Sequence, residues 1–408
     1  MDDDILSQGD DREPRRWPRR PWVIAAVVLA VIAGVVYLVL PRHQPPASAT
    51  APVTPSASAS PTPTPISVSG NLVIPGQPPE PDGIVIHTLP WSDGLRLPVA
   101  GTKPTWFWPA TGRSELIGGL PADGAGYQII RAAGGWAVQA NPAAKIGCNG
   151  CAGLAMPTWF LADGAHSATR AGTASLVAPA ASTGALWLTD YPPGAIVGNA
   201  AGTAREVGPT GALLRPPVRL PAGYVIEQGT DRGLLLAPAN PGAGTGTDRL
   251  WNPGSASAGR MFDDVIAANA TEIASASRCA PTCRVQVLDL ATGKDTVIRL
   301  PAGDSPSNGS FSPSGGFLAL QLSSSADGAL AMQLDVASVA GGQLTRVPGT
   351  WVSADALAGF GWPDNSNSLV AEFNFESTMQ LTSWHPGASE LSLAVIKPGP
   401  TQTSLIIG

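Results

Sequence analysis

The stretch FSPSGGFLAL, Phe311 to Leu320, reads as the end of one strand, a tight reversal and the start of another. Pro fixes φ near −65° and Gly tolerates positive φ, so Ser312-Pro313-Ser314-Gly315 reverses the chain at little conformational cost. An isolated hairpin is marginal in water and needs further strands to cover its apolar face. A second copy of the pattern follows in GWPDNSNSLVAEF, Gly361 to Phe373.

A second element recurs seven times: a short aromatic or aliphatic strand that runs into a turn containing Gly. The copies are WFWPATG ending at Gly112, WFLADG at Gly164, EVGPTG at Gly211, LWNPG at Gly254, VLDLATG at Gly293, QLDVASVAG at Gly341 and TSWHPG at Gly387. Successive glycines stand 39 to 52 residues apart, which matches the ~40 to 50 residues of one four-stranded propeller blade. A third element, at Leu120, Leu220, Leu300 and Val347, has the form LPADG, LPAG or VPG and follows several of those turns, where it reads as the connection between blades. Each period then runs inner strand, turn, second strand, hairpin, third strand, Gly turn, outer strand. The expected fold is all-β, a seven-bladed β-propeller over residues 69–408. FSPSGGFLAL and GWPDNSNSLVAEF become the first hairpins of blades 6 and 7, and both stretches resemble the SPDG…LA repeat of TolB-type and WD-repeat-like propellers. The resemblance spans roughly Val285 to Ala394, with Ser314 where that family usually has Asp. It implies a propeller; activity is a property of a site and not of a fold.

The N-terminus has a different character. Trp22 to Leu40 is an uncharged run of 19 residues, long enough as a helix of roughly 28 Å to cross a bilayer. Arg12, Arg15, Arg16, Arg19 and Arg20 precede it and only Arg42 follows closely. This bias predicts a retained single-pass anchor with residues 1–21 cytoplasmic and the rest outside the cytoplasm. Residues 41–68 are rich in Pro, Ser, Thr and Ala with no aromatic residue, a composition expected of a disordered spacer. Overall, 47 Gly and 41 Pro among 408 residues, with 13% charged, describe a turn-rich chain. A formal charge of −6, and an acidic balance after Arg42, disfavour nucleic acid as a partner.

Four cysteines form two close pairs, Cys148 with Cys151 and Cys279 with Cys283. The repeat register puts both pairs in hairpins between second and third strands, in blades 2 and 5, too far apart around a ring for one zinc to hold all four. In an oxidising exterior two local disulfides are expected. Each closes a very short loop and should stabilise by less than the ~3 kcal/mol of a 15-residue loop. No HExxH, phosphate-binding Gly loop or GxSxG elbow occurs, and no cofactor is implied. His87, His166 and His385 are the histidines after residue 68, and the last two fall in or just after the Gly turns.

Carboxylates in the inter-blade connections are the leading candidates for a ligand site: Asp123, Asp263, Asp264, Asp304 and Asp355, with Trp351 beside the last. These loops converge at one mouth of the central channel, where an acidic rim would attract a cation or a basic peptide. Trp106, Trp108, Trp159, Trp251 and Trp384 fall on third strands and are expected to fill space between blades. The functional expectation is a binding module for an envelope protein, a peptide or a cell-wall ligand. The alternatives are a hydrolase or lyase working at the channel mouth, and a sensor that signals across the membrane.

Overall fold

Short runs of branched and aromatic residues, broken every few positions by Gly, Pro or Asn, favour strands joined by tight turns. A computed structural model describes residues 87–100, 104–121, 126–141, 154–192, 195, 200–239, 247–254, 259–277, 282–326, 329–350, 352–353, 357–363, 367–375, 378–396 and 404–405. The expected cytoplasmic stub, membrane span and linker lie outside these residues. Among the described residues no helix is long and apolar enough to cross a membrane.

The strand β1 (His87–Leu89) comes first. Blade 1 takes β2 (Leu97–Ala100), β3 (Thr105–Trp108) and β4 (Arg113–Leu116). Blade 2 is β5 (Gly126–Ala132), β6 (Gly135–Asn141), β7 (Met156–Ala162) and β8 (Thr169–Ala174). Blade 3 is β9 (Leu176–Pro179), β10 (Leu186–Asp190), β11 (Thr203–Val207) and β12 (Val218–Arg219). Blade 4 is β13 (Tyr224–Thr230), β14 (Gly233–Pro238), β15 (Asp248–Trp251) and β16 (Arg260–Phe262). Blade 5 is β17 (Val265–Ala268), β18 (Glu272–Ala276), β19 (Arg284–Asp289) and β20 (Asp295–Arg299). Blade 6 is β21 (Asp304–Phe311), β22 (Phe317–Ala326), β23 (Ala329–Ser338) and β24 (Leu344–Arg346), with β25 (Val352–Ser353) added to β23. Blade 7 is β26 (Leu357–Gly361), β27 (Leu369–Phe375), β28 (Thr378–Trp384) and β29 (Glu390–Ile396), and the last strand is β30 (Ser404–Leu405).

These strands make seven separate sheets, each an antiparallel meander in chain order. Two departures close the ring. The strand β30 pairs antiparallel with β2, matching Val99 with Leu405 and Ala100 with Ser404, so the C-terminal strand supplies the innermost strand of blade 1. At the other end of the chain, β1 runs parallel to β29 and adds a fifth strand to blade 7. The Ser392 hydroxyl donates to the Pro90 carbonyl at 3.1 Å across the same junction.

Packing confirms closure. Seven clusters of buried side chains fill the seven gaps between neighbouring blades, and each draws on two adjacent sheets. Trp106 and Ile117 meet Ile129 and Trp136 between blades 1 and 2, and Phe160 meets Leu186 and Leu188 between blades 2 and 3. Trp187 meets Leu234 and Leu236 next, and Leu235 on the opposite face of the same strand meets Ile273 and Leu288. Val285 and Ile298 lie against Leu318, Leu320 and Leu322, and Leu334 and Val336 against Phe360, Trp362 and Phe373. The last gap, between blades 7 and 1, joins Val370, Met379 and Leu381 to Leu97, Val99 and Phe107.

All seven predicted Gly turns fall between the third and fourth strands of a blade. Six of the named glycines, Gly112, Gly164, Gly211, Gly254, Gly293 and Gly387, have φ between 67 and 88°. In blade 6 the left-handed position belongs to Gly342 (φ 64°) and not to Gly341: Gly342 N donates to Ser338 O, as Gly112 N does to Trp108 O and Gly293 N to Asp289 O, and Gly341 stands one residue before it. The LP elements at Leu120, Leu220, Leu300 and Val347 all lie between blades, and the last three side chains are buried. The opening stretch is the β21–β22 hairpin: Ser312 N donates to Phe317 O and Gly315 N to Ser312 O, both at 2.8 Å. Ser314 donates its hydroxyl to Asn367 of blade 7 at 3.0 Å. The third-strand tryptophans Trp106, Trp159 and Trp384 are buried, and the Trp106 indole N–H donates to Ala165 O at 3.0 Å.

If closure between blades 7 and 1 rests on this packing, Leu97→Ala, at a fully buried site, should lower the unfolding free energy by about 2–5 kcal/mol in denaturant titrations. Val297→Ala, at a site 48% exposed, should change it by less than about 0.5 kcal/mol.

Candidate functional site

Antiparallel meanders put first hairpins and Gly turns at one end of the ring, and second hairpins and inter-blade connections at the other. At the first end a cavity of about 660 Å³ opens between blades 2, 3, 5 and 6. Its wall is made by the first hairpins at 131–134, 179–183, 267–271 and 309–315, with Gln228 and Trp362 completing it. Two of these hairpins are braced by their own side chains. Asn269 Oδ1 accepts from Thr271 N at 2.8 Å and Glu272 N at 2.7 Å, while its amide donates to Glu272 at 2.9 Å. Ser312 Oγ accepts from Phe317 N at 3.1 Å. Trp362 is buried, donates its indole N–H to Ser310 O at 2.9 Å and stacks on Phe317. Arg131, the one charged group in the lining, is paired with Asp163 and lies 4.9 Å over the Trp136 ring. What faces the cavity is therefore hydroxyl, amide and backbone, with apolar surface from Phe311 and several alanines. Such a lining offers hydrogen bonds and apolar contact and little unpaired charge.

The residues singled out in the sequence lie elsewhere. Asp263 and Asp264 are in the connection from blade 4 to blade 5, at the end opposite the cavity, and Asp304 begins β21 at that same end. Asp304 is only 6% exposed and accepts from Gln333 Nε2 at 3.3 Å, inside blade 6. Asp123, Trp351 and Asp355 lie outside the described residues. The cavity hairpins were missed because their side chains are small and neutral; the repeated first-hairpin position was the one signal available.

Two groups of acids emerge. Burial raises the Asp304 carboxyl above its ordinary range, opposed by a Ser324 hydrogen bond and the Arg346 charge. Its neighbour Asp335 is pushed up to about 6, mainly by burial and further by Asp304, against the opposing charge of Arg346. In blade 4, Glu227 occupies a bulge in β13, where the register slips between Ile226 and Gln228. The residue is exposed as a whole, yet burial of its carboxyl, with Asp248 adding repulsion, moves it to about 7. Asp248 is raised by burial first, with a smaller push from Asp264, and accepts from Val265 N at 3.1 Å. Among the described residues no three His, Cys, Asp or Glu side chains are placed to hold a metal ion.

Cys283 is buried in the gap between blades 5 and 6 and is not a free thiol; Cys148, Cys151 and Cys279 lie outside the described residues. His166 Nδ1 is 3.0 Å from Glu115, and His385 Nε2 is 3.0 Å from the buried Ser368 hydroxyl. Neither histidine lines the cavity.

The seven closed sheets define this chain as a seven-bladed β-propeller. No family model matches it, and no curated protein matches it by sequence. Solved structures similar to it include one from an analysis of two prolyl endopeptidases (13% identity, TM-score 0.49, 76% of this chain and 50% of that one). TolB from Acinetobacter baumannii is similar at 11% identity and TM-score 0.36, over 63% of this chain and 64% of that one. An acylaminoacyl peptidase is similar at 10% identity and TM-score 0.47, over 71% and 47%. This chain thus spans about half the length of the two peptidases. At these TM-scores the likenesses carry no argument about activity, and the fold rests on the sheets and their closure.

The blade 6 acids give a pH dependence with a definite sign. A carboxyl raised in the folded state binds protons more tightly there than in the unfolded chain, so its contribution is greatest below the unfolded value of 3.8 and is lost as pH rises to about 6. Melting temperatures should therefore fall between pH 4 and 6 for the native chain, and Asp335→Asn should flatten that slope.

Proposed function

We propose that this chain is a membrane-tethered, extracytoplasmic propeller that binds an envelope protein, a peptide or a cell-wall ligand in the cavity at its first-hairpin end. The observation that carries this reading is the lining itself. Hairpins from four blades converge on a cavity of about 660 Å³, within the range of small-ligand and peptide sites. Its one cation is already matched by Asp163, so affinity comes from hydrogen bonds and apolar contact. An extended peptide or a neutral glycan presents that chemistry. The uncharged run at 22–40 and the Pro- and Ser-rich segment at 41–68 support tethering at the membrane by a spacer.

The reading is tested with the full chain expressed in a bacterial envelope. It should remain in membranes after an alkaline carbonate wash and, once solubilised, retain a reproducible ligand. Ala133→Trp, which fills the cavity from a hairpin tip, should abolish that retention. A ligand held equally by Ala133→Trp, or none held by the native chain, overturns the proposal.

The cysteines bear on the same compartment. Local disulfides Cys148–Cys151 and Cys279–Cys283 should appear in a non-reducing peptide map of protein exported to the envelope. Reduction should lower stability by less than ~3 kcal/mol, since each loop is far shorter than 15 residues.

A further inference from the structure

A second cavity, of about 370 Å³, lies between blades 3 and 4 at the same end, on the far side of the β9–β10 hairpin from the central one. Its floor is set by register. Trp187 of β10 and Glu206 of β11 are direct cross-strand partners, so both side chains point into the gap toward blade 4. The indole edge can sit there because Gly229 faces it: a Cβ on that residue would come within 2.7 Å of Trp187 Nε1.

Glu206 differs from the acids paired with Arg113, Arg131, Arg205 and Arg260. Its side chain is 2% exposed while that of its partner Arg215 is 56% exposed. The carboxylates in the ion pairs of Arg113, Arg131, Arg205 and Arg260 are 29–36% exposed. Those are surface pairs, in which water solvates both charges. Glu206 instead is a buried anion whose counter-ion reaches in from solvent, with the Arg215 guanidinium 5.6 Å from the Trp187 ring centre. Arg232, the other cation in the lining, is turned away onto blade 5, donating to Leu290 O and Ala291 O at 3.1 Å each. Asp231 adds a second carboxylate at the rim.

We propose that this crevice is a binding site for the guanidinium of an arginine side chain on a separate ligand, and that Arg215 occupies it as an internal stand-in. A carboxylate beside an aromatic ring on the same sheet face is chemistry that selects a planar cation. The incoming group replaces Arg215 on Glu206 and Trp187, and the displaced side chain moves into solvent. This site stands apart from the central cavity and does not require that cavity to be occupied.

The probe is N-acetyl-arginine amide, with the neutral isostere N-acetyl-citrulline amide as control, titrated by calorimetry into the folded full chain. Removing the stand-in raises the competent fraction, so Arg215→Ala should bind the arginine derivative about tenfold more tightly than the native chain. Arg215→Ala combined with Glu206→Gln should lose that binding, and the citrulline derivative should bind none of them. Ala133→Trp should bind the probe as the native chain does, which separates this site from the central cavity. Equal affinity in the native chain and Arg215→Ala, or equal binding of the citrulline control, overturns the proposal. Should Arg215→Ala not fold, the native chain decides. Saturable binding of the arginine derivative alone supports the site, and no binding or equal binding of both overturns it.

Discussion

Every sheet in this protein has two apolar faces, and that single constraint shapes the rest. Along β14, Leu234 and Leu236 belong to one gap and Leu235 to the next; along β3, Trp106 and Phe107 divide in the same way. A row of such sheets always leaves two faces in water unless its ends meet. Burying a Leu or Met side chain contributes about 1.5–3 kcal/mol, so the cluster of Leu97, Phe107, Met379 and Leu381 outweighs the few ladder bonds of β30 at about 0.5–1.5 kcal/mol each. The short strands β30 and β1 therefore fix the register of closure, while side-chain burial drives it.

How much of this the sequence disclosed follows from which features are local. A left-handed turn needs Gly, so the third turn of each blade announces itself, and the spacing of those turns gives the blade count. LPAG connections announce the joins for a similar reason. The strand that completes blade 1 gives no such sign, because its identity depends on residues some 300 positions away and Ser404–Leu405 carries no pattern of its own. The bulge that turns Glu227 is equally silent: TyrValIleGluGlnGly reads as an ordinary strand, and only the slipped pairing shows that the carboxyl leaves its expected face.

The cavity lies at the first-hairpin end of the ring, whereas the sequence draws attention to the other end. Charged residues draw attention in a sequence, and several of the inter-blade connections carry carboxylates. Asp304 is aligned with those loops, and β21 begins there and takes it into the blade, against Gln333. The open cavity forms where hairpins are short and side chains small, since short loops cannot fold over the lumen. Small neutral residues are the weakest signal in a sequence and here the main components of a wall.

The two cavities share that wall. Ala181 lines both, so the β9–β10 hairpin stands between a neutral chamber and a charged crevice. Their physics differs accordingly. Contacts in the central chamber are hydrogen bonds and apolar burial, which respond weakly to salt. The crevice is ionic and open on the Arg215 side, where the Debye length of ~8 Å at physiological ionic strength lets counter-ions compete. Burial of Glu206 pulls the other way: desolvation raises its pKa, the Arg215 charge opposes that shift, and loss of the cation leaves an uncompensated buried anion. A cation beside Glu206 therefore favours its charged form, and the fold itself supplies Arg215 from the solvent side.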